Sequence, residues 1–64
     1  MLWLEIVNDG TGDVNFGNYN FKVGVNNKIL EVGRVEGFNR HWGYNSLIKT
    51  VTEIIEDKQN ANPI

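Results

Sequence analysis

The sequence predicts an α+β domain: a three-stranded antiparallel β-meander with one C-terminal helix packed on one face, in the order β-β-β-α. Three observations carry this. Two early runs, Leu2 to Val7 and Tyr19 to Val25, alternate apolar and polar side chains with the period of a half-buried strand. Asn26-Asn27 then supplies the positive-φ tolerance that a two-residue hairpin turn requires. From Asn45 the apolar spacing changes to threes and fours, the signature of an amphipathic helix.

The first strand sets Leu2, Leu4 and Ile6 on one side and Trp3, Glu5 and Val7 on the other. It ends at Asn8-Asp9-Gly10-Thr11-Gly12-Asp13, a dense cluster of turn residues, and a long connection is expected from Asn8 to about Asn18. The second strand puts Tyr19, Phe21, Val23 and Val25 on one face. The third runs from Lys28 to about Gly37. An unbroken register from the Asn26-Asn27 turn pairs Val23 with Leu30, Phe21 with Val32 and Lys22 with Glu31. The helix stripe is Tyr44, Leu47, Ile48, Val51, Ile54 and Ile55, with Asn45 as N-cap. Its β-branched content lowers helix propensity and must be outweighed by burial of the stripe, and the acids Glu56 and Asp57 near its end predict fraying there. Residues 1–58 thus read as one domain and 59–64 as a loose tail. The core expected from this arrangement joins the stripe to Leu2, Leu4, Ile6, Phe21, Val23, Leu30 and Val32. It leaves Trp3, Val7, Ile29 and Val35 on an uncovered face.

A chain of 64 residues buries only about 60% of the surface its unfolded form exposes, so the core must be small. With no cysteine and one histidine, neither disulfides nor a zinc site is available to brace it. No cofactor or metal is expected. Self-association is the remaining common brace, which makes a homo-dimer or larger oligomer the expectation. The net charge of −2 is unevenly spread: acidic ends flank a cationic middle that holds Lys22, Lys28, Arg34, Arg40 and Lys49. That balance argues against strong non-specific nucleic-acid binding. Met1-Leu2-Trp3-Leu4-Glu5 lacks the basic start of a signal peptide, and no apolar run approaches a membrane span, so the expected location is cytoplasmic.

Little in the chain resembles catalytic machinery. Asp9-Gly10-Thr11-Gly12-Asp13 departs from the EF-hand loop and from the dinucleotide fingerprint, because Asn15 stands where the third glycine belongs. It reads as a turn. His41 has Glu36 as its nearest acid in sequence, but a general base also needs a pocket and an orienting partner, and no enzymatic activity is expected. The densest chemistry lies between Gly33 and Tyr44, where Arg34, Arg40, His41, Phe38, Trp42 and Tyr44 mix cations with aromatics. Trp42 and Tyr44 are expected to seal the sheet-helix joint.

The run from Tyr19 to Ile55, strands closed by a helix, resembles the second half of a double-stranded-RNA-binding domain and the sheet-plus-helix DNA readers of the integrase-arm type. Asn45-Ser46-Leu47-Ile48 stand where the RNA-binding family places lysines. The resemblance therefore implies a shape and no binding residues.

The leading expectation is a small non-enzymatic protein-protein interaction module, homo-oligomeric, of the size class common among phage and mobile-element accessory and inhibitor proteins. Its partner-binding residues would be Trp3, Ile29, Arg34, Val35, Arg40, His41 and Trp42. The alternative is a nucleic-acid-binding module using Lys22, Lys28, Arg34 and Arg40.

Overall fold

The computed structural model describes residues 1–60. Three antiparallel strands, β1 (Leu2–Gly12), β2 (Phe16–Val25) and β3 (Lys28–Asn39), form one sheet in the order β1-β2-β3. A single 3-10 turn (Arg40–Trp42) leads into the helix α1 (Tyr44–Asn60). This is the α+β, β-β-β-α arrangement expected from the sequence.

The first hairpin is longer than its sequence suggested. The turn cluster is built into the strand end, because side-chain oxygens satisfy its backbone. Asn8 Oδ1 accepts from the Gly10 N–H, Asp9 Oδ1 from the Thr11 N–H, and Asp13 Oδ1 from the N–H groups of Asn15 and Phe16. Pairing is irregular between Asn8 and Gly12, and only residues 13–15 remain outside the strands.

The second hairpin carries the main correction. The turn is where expected, with Asn26 at φ 53°, and Val25 pairs with Lys28 and Gly24 with Ile29. Leu30 then bulges out of the ladder, and Val23 pairs with Glu31, Lys22 with Val32, Phe21 with Gly33 and Tyr19 with Val35. One extra residue in β3 moves every later side chain to the opposite face. Val35, expected on the uncovered face, is therefore in the core at 7% exposure, while Val32 and Leu30, expected in the core, are exposed. Glu31 pairs with Lys58 of the helix and not with Lys22. A second irregularity, across Gly37 at φ 67°, brings Phe38 back to the helix side opposite Gly17.

The core is Phe21, Val35, Phe38, Leu47 and Val51, with Ile6, Tyr19, Ile54 and Ile55 packed on it. Gly33 makes it possible: a Cβ there would collide with the Phe21 ring, which stands directly on the β3 backbone. Leu2 and Leu4, expected in the core, stand beside the helix without being covered by it and are exposed. They line an apolar groove of about 320 Å³ with Val23, Thr52 and Ile55.

The helix begins at Tyr44, so Asn45 lies inside its first turn and is not the cap. The Gly43 carbonyl accepts the Leu47 N–H at 3.3 Å. Thr50 and Thr52 donate back to the Ser46 and Ile48 carbonyls. At the other end Lys58 holds the helix where fraying was expected. Its Nζ donates to the Val32 carbonyl at 3.0 Å, pairs with Glu31 at 3.1 Å, and lies 5.9 Å from the Phe21 ring centroid. A cation in the last turn also suits the helix dipole. Gln59 and Asn60, assigned to the tail from sequence, are helical. The rest of that tail, residues 61–64, lies outside the described residues. No helix among the described residues is long and apolar enough to cross a membrane.

Candidate functional site

The helix covers one face of the sheet, and the other is open. Strand alternation in the observed register places Trp3, Glu5 and Val7 of β1, Asn20, Lys22 and Gly24 of β2, and Ile29, Val32 and Arg34 of β3 on that open face. Val7, Ile29 and Val32 are 49%, 50% and 55% exposed. Between Val7 and Val32 the sheet dips to form a concavity of about 520 Å³, walled also by Glu5, Asn20 and Lys22. Apolar side chains left wet on a chain this small mark a contact surface.

Trp3 is the most firmly seated residue of the face. Its indole packs against Gly24, where a Cβ would collide with the ring, and Nε1 donates to the Asn26 carbonyl at 2.7 Å. The Met1 carbonyl accepts the Asn26 N–H. Trp3 therefore ties the start of β1 to the β2-β3 turn and borders the patch with an immobilised aromatic edge.

Arg34 closes the other end. Its guanidinium bonds Asp9 of β1 at 2.5 Å, Asn20 of β2 at 3.0 Å and Glu36 of β3 at 3.0 Å, a clasp across all three strands. The Thr11 hydroxyl and Thr11 N–H, followed by Arg34, depress the Asp9 carboxyl to a pKa of about 2. Asp9 and Glu36 in turn raise the pKa of Arg34. From sequence, Arg34 is expected at a partner or nucleic-acid contact. In the fold its donors are occupied by its own chain.

The junction residues form a separate tip. Asn39 Oδ1 accepts the His41 N–H, and the Asn15 carbonyl accepts the Arg40 N–H, so the 3-10 turn is strapped to the first hairpin. The His41 ring Nε2 lies 3.3 Å from Asn15 Oδ1, and Glu36 is engaged by Arg34, so no His41-Glu36 pair exists. Trp42 packs edge-on to Phe38 at 5.6 Å yet is 64% exposed, as is Tyr44. Phe38 is what seals the joint, and neither Trp42 nor Tyr44 does so.

The single surface expected from Trp3, Ile29, Arg34, Val35, Arg40, His41 and Trp42 is therefore two surfaces and one core residue. Trp3 sits at Gly24 and Arg40 at Gly17, about 23 Å apart along β2 at ~3.3 Å per residue. Val35 is buried. Lys22, Lys28, Arg34 and Arg40 do not gather either: Lys22 and Lys28 occupy opposite faces, Arg34 is neutralised, and Arg40 stands at the far tip. Sequence reasoning missed Val32 and the Asp9-Asn20-Arg34 clasp, both of which depend on the bulge at Leu30. Among the described residues no cluster of three His, Asp or Glu could hold a metal ion. The chain matches no protein-family model, no curated protein and no solved structure, and the likeness to RNA- and DNA-binding domains rests on the order of strands and helix alone.

Proposed function

We propose that this protein is a small non-enzymatic interaction module whose contact surface is the open face of its sheet. The observation that carries this is a concavity of about 520 Å³ lined by the half-exposed Val7 and Val32, on a face that also presents Ile29, the fixed Trp3 indole and the Arg34 clasp. Rigid borders around a face that mixes apolar and charged side chains are what a protein contact needs, since little ordering entropy remains to be lost on binding. The one histidine is strapped to an asparagine at the far tip, away from the concavity, which gives a reaction no acid-base pair to use.

The test compares wild type with Val32→Glu, after circular dichroism has shown that both are folded. Polypeptides from the source cell retained on wild type, lost on Val32→Glu, and held equally at low and physiological salt support the reading. Retention that Val32→Glu leaves unchanged refutes it. Retention of nucleic acid that collapses with salt would refute it in favour of phosphate contacts.

A further inference from the structure

The open face carries an opposite-charge pair at its centre that its own fold leaves unused. Glu5 and Lys22 stand directly across from each other in the β1-β2 register, and both wall the concavity. The ion pairs of the described residues are Arg34 with Asp9, Arg34 with Glu36 and Lys58 with Glu31, and neither Glu5 nor Lys22 belongs to one. One row toward the hairpin turn lies Trp3 beside Gly24. One row the other way lies Val7 beside Asn20.

This pattern is antisymmetric about the line between β1 and β2. A half-turn about that line, applied to a second sheet laid face to face, brings Glu5 of one copy over Lys22 of the other, twice. It also brings the Trp3-Gly24 rows of the two copies together, each indole already seated on its own Gly24. Val7 comes over Asn20, and Ile29 and Val32 flank the outer edge of the other copy's β1. A two-fold axis along β2 would instead stack Lys22 on Lys22. One running across the strands at this level would stack Glu5 on Glu5. The charges thus favour a single axis, and it gives the aligned packing usual for stacked sheets, with strands crossing at about 30° and faces about 10 Å apart.

We propose that the occupant of the open face is a second copy of this chain, in a face-to-face dimer held in register by reciprocal Glu5-Lys22 pairs. The proposal rests on the interaction reading of the same face and names its partner. An isologous interface must be self-complementary, and an adjacent positive and negative charge in an apolar field is the simplest pattern that is. The overlap is two strands wide, about 10 Å by about 20 Å, well below a standard interface, so the dimer exchanges rapidly and depends on concentration.

Sedimentation across a concentration series tests this with wild type, Glu5→Lys, Lys22→Glu, the double exchange Glu5→Lys/Lys22→Glu, and an equimolar mixture of the two single variants. Circular dichroism verifies that each is folded. Wild type and the double exchange should dimerise, and each single variant should associate at least about tenfold more weakly. The mixture should recover a heterodimer, since the paired lysines of the Glu5→Lys chain then meet the paired acids of the Lys22→Glu chain. A wild type that stays monomeric, single variants that dimerise like wild type, or a mixture that fails to recover each overturns the proposal. If wild type is monomeric but still captures another polypeptide in a Val32-dependent way, the second copy is refuted and the interaction reading stands. A dimer indifferent to both the charge exchanges and Val32→Glu refutes both.

Discussion

Gly33→Ala gives the most direct test of the register, because its sign differs between the two possible hairpins. In the structure, a methyl group at Gly33 would overlap two carbons of the Phe21 ring and lie 3.0 Å from a third. The ring has little room to retreat, since it is buried among Leu47, Val51 and Val35 with Lys58 above it. Overpacking of this kind costs about 1–3 kcal/mol. Replacing glycine within a strand recovers about 0.5–1 kcal/mol. At the middle of both ranges the net loss is about 1 kcal/mol, against a total of about 3–10 kcal/mol for a chain of this length. At roughly 4–8 °C per kcal/mol, Tm should fall by about 4–8 °C. In the unbroken register Gly33 would face solvent opposite Asn20, and the same substitution would stabilise. Thermal unfolding followed by circular dichroism and tryptophan fluorescence reads the difference. Adding Phe21→Leu should relieve part of the loss, with a coupling of about 1 kcal/mol in the double-mutant cycle. An unchanged or higher Tm for Gly33→Ala, or strict additivity with Phe21→Leu, would show that the ring does not stand on this glycine.

Other substitutions check the remaining assignments. Leu47→Ala, at the centre of the buried helix stripe, should cost about 2–5 kcal/mol and leave the chain near its unfolding threshold in a urea titration. Phe38→Ala should cost about 3–5 kcal/mol, whereas Trp42→Ala should lose no more than the edge-on aromatic contact, about 0.5–1.5 kcal/mol; equal losses would restore Trp42 as the seal of the joint. Folding depresses Asp9 from an ordinary value of 3.8 to about 2, so its contribution is complete above about pH 4 and disappears as pH falls toward 2. Asp9→Asn should therefore lower Tm at neutral pH and flatten its fall across that window. A parallel fall in the two proteins would place the acid sensitivity elsewhere, with Asp13, which accepts from the Phe16 and Asn15 N–H groups and is also depressed, the first to examine.

The order of elements was legible because each signal was local. Alternation marked β1 and β2, Asn26-Asn27 marked the turn, and a period near 3.6 marked the helix. The faces of β3 were not legible from the turn alone, because a bulge is invisible to alternation. One warning was nevertheless present. Extended a little further, the unbroken register places Arg34 opposite Tyr19 and Glu36 opposite Gly17 on the helix side, burying two charges under a helix that offers them no partner there. Asking where those charges go would have required an extra residue before Gly33 and would have returned Val35 to the core. The Arg34 clasp was beyond reach, since it joins residues from three strands whose relative positions depend on that bulge and on the irregular stretch from Asn8 to Gly12. The open face was half legible: Trp3, Val7 and Ile29 precede the bulge and kept their expected side, while Val32 changed places with Val35.

The unpaired Leu30 also gives the hairpin tolerance to a change in length. The turn counts pairs only as far as Gly24 and Ile29, and beyond the bulge the count is kept by Phe21 on Gly33. Loss of one residue between Leu30 and Val32 would close the ladder without moving any later pair, whereas loss of Arg34 would turn Val35 to the opposite face. A chain lacking Leu30 should accordingly keep the ring-current shift of the Gly33 α protons beneath Phe21, and one lacking Arg34 should not keep Val35 in the core. The strand is free to shorten at Leu30 and again across Gly37, and is fixed in length between them.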